Sequence, residues 1–122
     1  MARRLSLIVD DDPAIRTFVR TILEAEQFEA VEADGGRAAL AMAKALHGAI
    51  DLIITDVQMP DGDGLTFATA AKELLPSVPI IVISGVAKPT ADFEFVEKPF
   101  TWETLVAAVR RVGAWRAAGM RN

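Results

Sequence analysis

Acidic side chains follow two apolar runs of the sequence, at the points where the runs end. Three aspartates, at 10–12, come directly after the apolar segment 5–9, and Asp56 lies just beyond a second apolar segment. Crowded carboxylates raise one another's proton affinity unless a cation binds, and hard oxygen ligands suit Mg²⁺. Carboxylates at the ends of adjacent parallel strands would share one crevice, the usual ligand position in open α/β sheets. The sequence therefore predicts a site for a divalent cation and an anion.

Length and composition limit the remaining function classes. The 122 residues fit a single domain over 1–122, with a tail from about 115 to 122. A formal net charge of −4 argues against a direct nucleic-acid partner, and the absence of cysteine fits a reducing cytoplasm. His47 is the only histidine, too few for a zinc site or a catalytic triad. The apolar segment 5–9 is too short for a membrane span, so we expect a cytoplasmic protein without a membrane partner.

Short apolar runs alternate with helical patterns along the chain, which predicts parallel strands joined by crossover helices. The predicted strands cover about 5–9, 28–33, 52–54, 80–83 and 94–97. Asp12 before Pro13 is a favourable start for the first helix, and Thr101 is a favourable start for the last. Helical spacing predicts an inward stripe on the last helix, formed by Trp102, Leu105, Val106, Val109 and Val112.

Four short motifs stand at the ends of predicted strands. They are Val9-Asp10-Asp11-Asp12-Pro13, Thr55-Asp56-Val57-Gln58-Met59-Pro60 with Gly62 and Gly64, Ile83-Ser84-Gly85, and Glu97-Lys98-Pro99-Phe100. In this order, and over nearly the whole chain, they resemble the response-regulator receiver domains of bacterial two-component signalling. The resemblance implies a flavodoxin-like, doubly wound, parallel five-stranded α/β sheet of order 2-1-3-4-5. Its site would lie between the first and third strands, where the order reverses.

The resemblance also implies roles for individual residues. Asp56 would be the phosphoacceptor, taking a phosphoryl group from a histidine kinase or phosphotransfer protein. Asp10 and Asp11 would hold Mg²⁺ together with Asp56 and the backbone carbonyl of Gln58. Lys98 would pair with the phosphoryl oxygens, in a Lys-Pro bond that is typically cis in this family. We do not expect an enzyme. We expect a phosphoryl acceptor that assists its own phosphorylation and dephosphorylation.

Two further positions match the family's conformational switch. The hydroxyl of Ser84 would bond the phosphate and draw its loop inward, and Phe95 occupies the place of an aromatic switch residue, although a plain packing role explains it equally well. Asp12 matches a variable acidic position, and we interpret it first as a helix cap and second as a metal ligand. The switch would signal to a downstream protein that the sequence does not identify.

The chain departs from the family between Ser84 and Lys98. Residues 85–97 are too few for a full helix and a strand, and Pro89 is unsuited to a helix interior. We therefore predict that the fourth helix is missing or reduced. This departure favours a phosphate-sink, relay or adaptor role over transcription control, and it leaves open whether the chain acts alone or within a larger hybrid protein.

Two alternatives remain open. Asp10 and Asp12 have the Asp-x-Asp spacing of haloacid-dehalogenase-type phosphatases, which also form an aspartyl phosphate. Ala14 and the absence of room for a cap argue against that class. A receiver that binds partners without phosphorylation is the other alternative. The identity of the modified aspartate, Asp10 or Asp56, separates the first alternative from the receiver.

Overall fold

A five-stranded parallel sheet forms the centre of the molecule. The computed structural model describes residues 3–59, 62–85 and 93–114. The strands are β1 (Arg4–Val9), β2 (Phe28–Ala33), β3 (Ile50–Asp56), β4 (Ile80–Ser84) and β5 (Glu94–Glu97). They lie side by side in the order β2-β1-β3-β4-β5, and every neighbouring pair is parallel. The predicted α/β fold and its strand order are confirmed.

Helices cover both faces of this sheet. They are α1 (Pro13–Ala25), α2 (Gly36–Ala45), α3 (Gly64–Leu74) and α4 (Trp102–Val109), and α4 continues as a π-helical turn at Arg110–Ala114. The buried residues form two clusters, one containing side chains of α2 and α3 and the other containing side chains of α1 and α4. After β3, the two-residue strands Gln58–Met59 and Gly62–Asp63 form a separate antiparallel pair.

The central strands are apolar without alternation because both of their faces are covered. In β3, the side chain of Ile53 belongs to the cluster under α2 and α3, whereas Leu52 and Ile54 belong to the cluster under α1 and α4. Successive side chains of a strand point to opposite faces, so a strand between two helical layers needs apolar residues at every position. This arrangement places the polar residues of the motifs at the strand ends.

Both predicted helix caps are present. The Asp12 carboxylate accepts a hydrogen bond from the Ala14 N–H at 2.9 Å, and the Thr101 hydroxyl accepts one from the Thr104 N–H at 3.1 Å. Each satisfies a backbone donor that the first turn of a helix leaves without a partner. The caps fix where α1 and α4 begin relative to the strand ends that precede them.

The inward stripe predicted for the last helix was wrong at its first position. The fully buried side chains of α4 are Leu105, Ala108 and Val109, while Trp102 is 39% exposed. Trp102 is the first residue of α4, five residues after the last residue of β5. The ring instead contacts Phe18 of α1 edge-on, with 6.2 Å between ring centroids.

Two predictions fall outside the described residues. The missing or reduced fourth helix concerns residues 86–92, and the tail concerns 115–122. The extent of the single domain over 1–122 stays a prediction. Among the residues that the structure does describe, no helix combines the length and apolar character that crossing a bilayer requires.

Candidate functional site

Three carboxylates and one ammonium meet at the carboxyl ends of the central strands. One oxygen from each of Asp10, Asp11 and Asp56 lies within 4.8 Å of the other two. The Lys98 Nζ atom lies 3.3 Å from Asp56 Oδ2 and 3.8 Å from Asp10 Oδ2. Asp10 and Asp56 are only 3% and 4% exposed, whereas Asp11 faces solvent. The structure thus brings these four predicted site residues together at one end of the sheet.

The strand order explains why residues so distant in sequence meet. β1 and β3 are neighbours with Val9 paired to Thr55, so Asp10 and Asp56 are the next residues along adjacent strands. Strand β5 brings Lys98 to the same edge, since Ser84 at the end of β4 pairs with Glu97. The sheet therefore delivers the two buried acids and the cation to one edge, as expected where the strand order reverses.

The backbone and side chain of Asp10 are held on three sides. Its N–H donates to the Ala33 carbonyl at 3.2 Å, its Oδ1 accepts from the Asp12 N–H at 2.9 Å, and its carbonyl accepts from Arg16 Nη1 at 2.7 Å. Burial raises the pKa of the Asp10 carboxyl; the Asp12 N–H opposes this rise, and the nearby Asp56 charge adds to it. A cation would offset the energetic cost of this buried charge.

The chain after Asp56 turns tightly against the end of β3. The Thr55 hydroxyl donates to the Asp56 carbonyl at 3.0 Å, and the Gly64 N–H donates to the Val57 carbonyl at 2.7 Å. A Cβ atom on Gly64 would lie 1.7 Å from the Asp56 carbonyl oxygen, a distance that no side chain permits. Glycine at 64 therefore lets the start of α3 approach the candidate acceptor residue.

Ser84 and Lys98 are joined through the backbone. The Lys98 N–H donates to the Ser84 carbonyl at 2.8 Å, and Ser84 is fully buried. The Lys98-Pro99 peptide bond is cis, as the sequence resemblance implied. The hydrogen bond between the two residues ties the end of β4 to the residue that carries the ammonium.

The remaining predicted residues are Phe95, Gln58 and Asp12. Phe95 is partly buried on β5 and pairs with Val82 of β4. Gln58 lies two residues beyond Asp56, with an exposed side chain. Asp12 caps α1, as its first interpretation predicted, and is not part of the three-aspartate group. The Asp-x-Asp alternative requires Asp12 beside Asp10 in the site, and this cap directs its carboxylate to the helix.

Sequence reasoning missed Arg16. Its Nη1 atom contacts the Asp10 carbonyl, and its Nε atom pairs with Glu32 Oε1 at 2.9 Å. Arg20 also pairs with Glu32, with Nε 2.6 Å from Oε2. The sequence signal was the position of Arg16 one turn into α1, just after the acidic motif, but its partner on β2 could not be identified from spacing alone.

Comparisons with known proteins agree with this geometry. Residues 6–110 match the model of the response regulator receiver domain family. The sensor kinase CckA of Brucella abortus is 30% identical over 114 residues, which cover 87% of this chain and 12% of that protein. This chain therefore spans a small part of that curated relative.

Solved receiver structures also match. The chemotaxis protein CheY4 of Vibrio cholerae has a TM-score of 0.81 and 31% identity, covering 91% of this chain and 99% of that one. The response regulator TrrA of Thermotoga maritima, solved with Mg²⁺ and beryllium fluoride, has a TM-score of 0.76 and 29% identity, covering 89% and 98% of the two chains.

The chain belongs to the response regulator receiver domain family, and the predicted membership is confirmed. Its function as a two-component receiver follows from that membership. The pocket formed by Asp10, Asp11 and Asp56 fits a phosphoaccepting aspartate that works with Mg²⁺.

Proposed function

We propose that Asp56 is the residue that accepts the phosphoryl group, and that a histidine kinase or a phosphotransfer protein supplies it. One observation carries the assignment: the Lys98 ammonium lies 3.3 Å from the Asp56 carboxylate, within a group that also contains two other acids. Asp10 and Asp11 follow β1, whereas Asp56 is the last residue of β3. The Asp56 carboxylate lies closer to the Lys98 ammonium, at 3.3 Å, than the Asp10 carboxylate does, at 3.8 Å.

The donor set suits Mg²⁺. Carboxylates of Asp10, Asp11 and Asp56 and the backbone carbonyl of Gln58 would hold the ion, and oxygen donors are what Mg²⁺ prefers. Support comes from the buried Asp10 carboxyl, whose pKa is raised. Its Oδ2 atom lies 3.8 Å from the ammonium of Lys98, a partly exposed residue. When bound, the ion neutralises charge on the phosphoryl oxygens and on the acids around them.

The chemistry uses the carboxylate as a nucleophile. An Asp56 oxygen attacks phosphorus, an O–P bond forms while the N–P bond of phosphohistidine breaks, and the imidazole leaves with the bonding electrons. The product is an acyl phosphate. Because the transition state spreads negative charge over the equatorial oxygens, the protein mainly positions groups and neutralises charge. Lys98 does this as a compact cation beside the acceptor.

Ser84 and Phe95 would convert the new charge into a conformational change. The Ser84 carbonyl is bonded to the Lys98 N–H, so movement of either residue affects the other. A hydroxyl contact to the phosphoryl group would stabilise one position of the loop after β4, and Phe95 lies on the neighbouring strand. Phosphate shifts this equilibrium only by the contacts that it makes in one state and not in the other.

The partner and the setting complete the proposal. The chain would act in the cytoplasm as a phosphoryl acceptor that assists its own phosphorylation and dephosphorylation, without direct contact with nucleic acid or a membrane. Its signal would pass to a downstream protein, either from a chain acting alone or from within a larger hybrid protein.

The test is an intact-mass measurement after incubation with Mg²⁺ and acetyl phosphate. We expect the parent to gain one phosphoryl group, lost on alkaline treatment, and Asp56→Asn to gain none. Chelation with EDTA should abolish the gain in the parent. Peptide mapping after borohydride trapping locates the modified residue. Trapping at Asp10 would favour the phosphatase alternative, whereas a folded parent that gains no phosphate from either acetyl phosphate or kinases would favour the phosphorylation-independent receiver.

A further inference from the structure

We propose that Arg16 is a positioning residue for the metal site, which it serves by fixing the peptide between Asp10 and Asp11. The inference rests on the proposed function, because it assumes that these acids hold Mg²⁺. The hydrogen bonds of Arg16 go to the Asp10 carbonyl and to Glu32, and not to the side chains of the three aspartates.

The contacts of Arg16 join three elements of the fold. From α1, its Nη1 atom donates to the Asp10 carbonyl at 2.7 Å, and its Nε atom donates to Glu32 Oε1 on β2 at 2.9 Å. The side chain is only 18% exposed. A guanidinium is a planar fork, so two contacts made from different nitrogens fix its orientation as well as its position.

The Asp10 carbonyl is important because the other polar groups of Asp10 already have hydrogen-bond partners. The Ala33 carbonyl holds its N–H, and the Asp12 N–H holds its carboxylate Oδ1. The contact from Arg16 fixes the remaining polar group of the residue, and with it the plane of the peptide that leads to Asp11. Asp11 is exposed, so packing restrains its side chain little and the direction of this peptide sets the position from which its carboxylate reaches the site.

Glu32 acts as the anchor for this arrangement. It accepts from Arg16 with one oxygen and from Arg20 with the other, at 2.9 and 2.6 Å, while Arg20 also donates to the Ala30 carbonyl at 3.0 Å. Hydrogen bonds from Arg20 and then Arg16 lower the pKa of the Glu32 carboxyl against the opposing effect of its burial. The anchor is therefore charged at neutral pH and holds both guanidinium groups against the edge strand.

The direction in which Mg²⁺ affinity changes when Arg16 is removed distinguishes a positioning role from a purely electrostatic one. A guanidinium close to a cation site repels the cation, so its removal alone would strengthen Mg²⁺ binding. Loss of positioning does the opposite, because Mg²⁺ demands nearly ideal octahedral geometry with ligand distances of about 2.0–2.1 Å. A carboxylate that is free to move away must be reordered when the ion binds.

The experiment compares Arg16→Met with Arg20→Met, which removes the other arginine of Glu32 without touching Asp10. Mg²⁺ affinity is measured by calorimetry on the full chain. We expect Arg16→Met to weaken affinity about tenfold, the scale of outer-sphere substitutions at metal sites, and Arg20→Met to change it less than about twofold. Arg16→Lys keeps the charge but loses the fork, so its affinity should lie between those of the parent and Arg16→Met.

A second readout needs no metal. In the metal-free protein, amide hydrogen exchange at Asp11 and Asp12 should accelerate in Arg16→Met and stay at the parent level in Arg20→Met. Equal changes in the two variants, or tighter Mg²⁺ binding by Arg16→Met, would overturn the inference while leaving the proposed function intact. A folded parent that binds no Mg²⁺ would overturn both. If Arg16→Met does not fold, Arg16→Lys decides: an affinity equal to the parent's refutes positioning by the fork.

Discussion

The Lys98 ammonium lies 3.3 Å from the Asp56 carboxylate, in a pair that is part-exposed at the lysine and almost fully buried at the aspartate. The same ammonium is 3.8 Å from Asp10. In the metal-free protein this one cation therefore faces two buried acids. Any divalent ion that enters the pocket competes with the lysine for the same oxygens, and this competition underlies the first prediction.

Replacement of Lys98 by Met should preserve Mg²⁺ binding and raise its affinity about twofold to tenfold, because the ion no longer competes with the ammonium. The interaction of a partly exposed charge with carboxylates at these distances is worth on the order of 1 kcal/mol. The same variant should accept phosphate more slowly than the parent, because it lacks a cation beside the acceptor, and its phosphorylated form should fail to switch. Amide chemical shifts near Ser84 should then change little on phosphorylation. Lys98→Arg, which keeps the charge, serves as the control; phosphorylation shifts in Lys98→Met equal to those of the parent would contradict the role of the lysine.

Replacement of Asp10 by Asn should stabilise the metal-free protein at neutral pH. Burial raises the pKa of this carboxyl in the folded state, so its contribution to stability is complete below the unfolded value of 3.8 and is lost as pH rises through the folded value. Asparagine does not titrate and still offers an oxygen to the Asp12 N–H. The free energy of unfolding, measured by urea denaturation in EDTA, should favour the variant at pH 7. This difference should shrink as the pH falls.

Saturating Mg²⁺ provides the matching control for Asp10→Asn. The ion binds the folded parent more strongly than the variant, so it should reduce or reverse the difference in unfolding free energy. A difference that is the same at every pH in EDTA would show that burial of the charge is not its cause.

Substitutions of Asp11 and Asp12 should have different effects, because Asp11 is the proposed metal ligand and Asp12 is the helix cap. Asp12→Ala removes the acceptor for the Ala14 N–H and should cost about 1 kcal/mol of unfolding free energy, while Mg²⁺ affinity stays close to that of the parent. Asp12→Ser should restore most of the stability. Asp11→Asn should lower Mg²⁺ affinity at least about tenfold, because the charge of the ligands sets the affinity of such sites. Calorimetry and urea denaturation on both variants test the separation, which fails if one variant shows both losses.

Replacement of Gly64 by Ala should destabilise the fold by about 1–3 kcal/mol, because its Cβ atom would meet the Asp56 carbonyl oxygen at 1.7 Å and backbone must move to relieve the overlap. Mg²⁺ affinity should fall too, since Asp56 is displaced. The control is Gly36→Ala on α2, where the nearest atom is the Phe67 Cβ at 3.4 Å. Alanine at 36 should raise the unfolding free energy by up to about 1 kcal/mol, because it reduces the conformational entropy of the unfolded chain. Equal stability of the two variants in urea denaturation would exclude the overlap as the cause.

Much of the fold could be predicted because its signals are local. The unbroken apolar run ending at Ile54 indicated a strand covered on both faces, and Asp12 and Thr101 marked the starts of two helices. Trp102 shows where such reasoning fails. Helical spacing gives a face of the helix, but only the tertiary structure shows which side chains cover each position on that face.

The residues of the site also fall into those that the sequence revealed and one that only the structure revealed. The sequence pointed to Asp10, Asp11 and Asp56 because acids at strand ends stand out, and the resemblance to receiver domains added Lys98. It could not identify Arg16, since an arginine in the first turns of an amphipathic helix is ordinary on a solvent-facing side. Its importance comes from contacts with a neighbouring strand and with a backbone carbonyl.

By itself, the sequence determined the five strands of the sheet, the starts of α1 and α4, and the chemical character of the site, because each depends on residues close together in the chain. The tertiary structure decided the distances among the carboxylates, the approach of Lys98 to Asp56, and the link from Glu32 through Arg16 to Asp10. These depend on register and on side-chain direction between strands that are adjacent only in space. Periodicity along a chain carries no information about either.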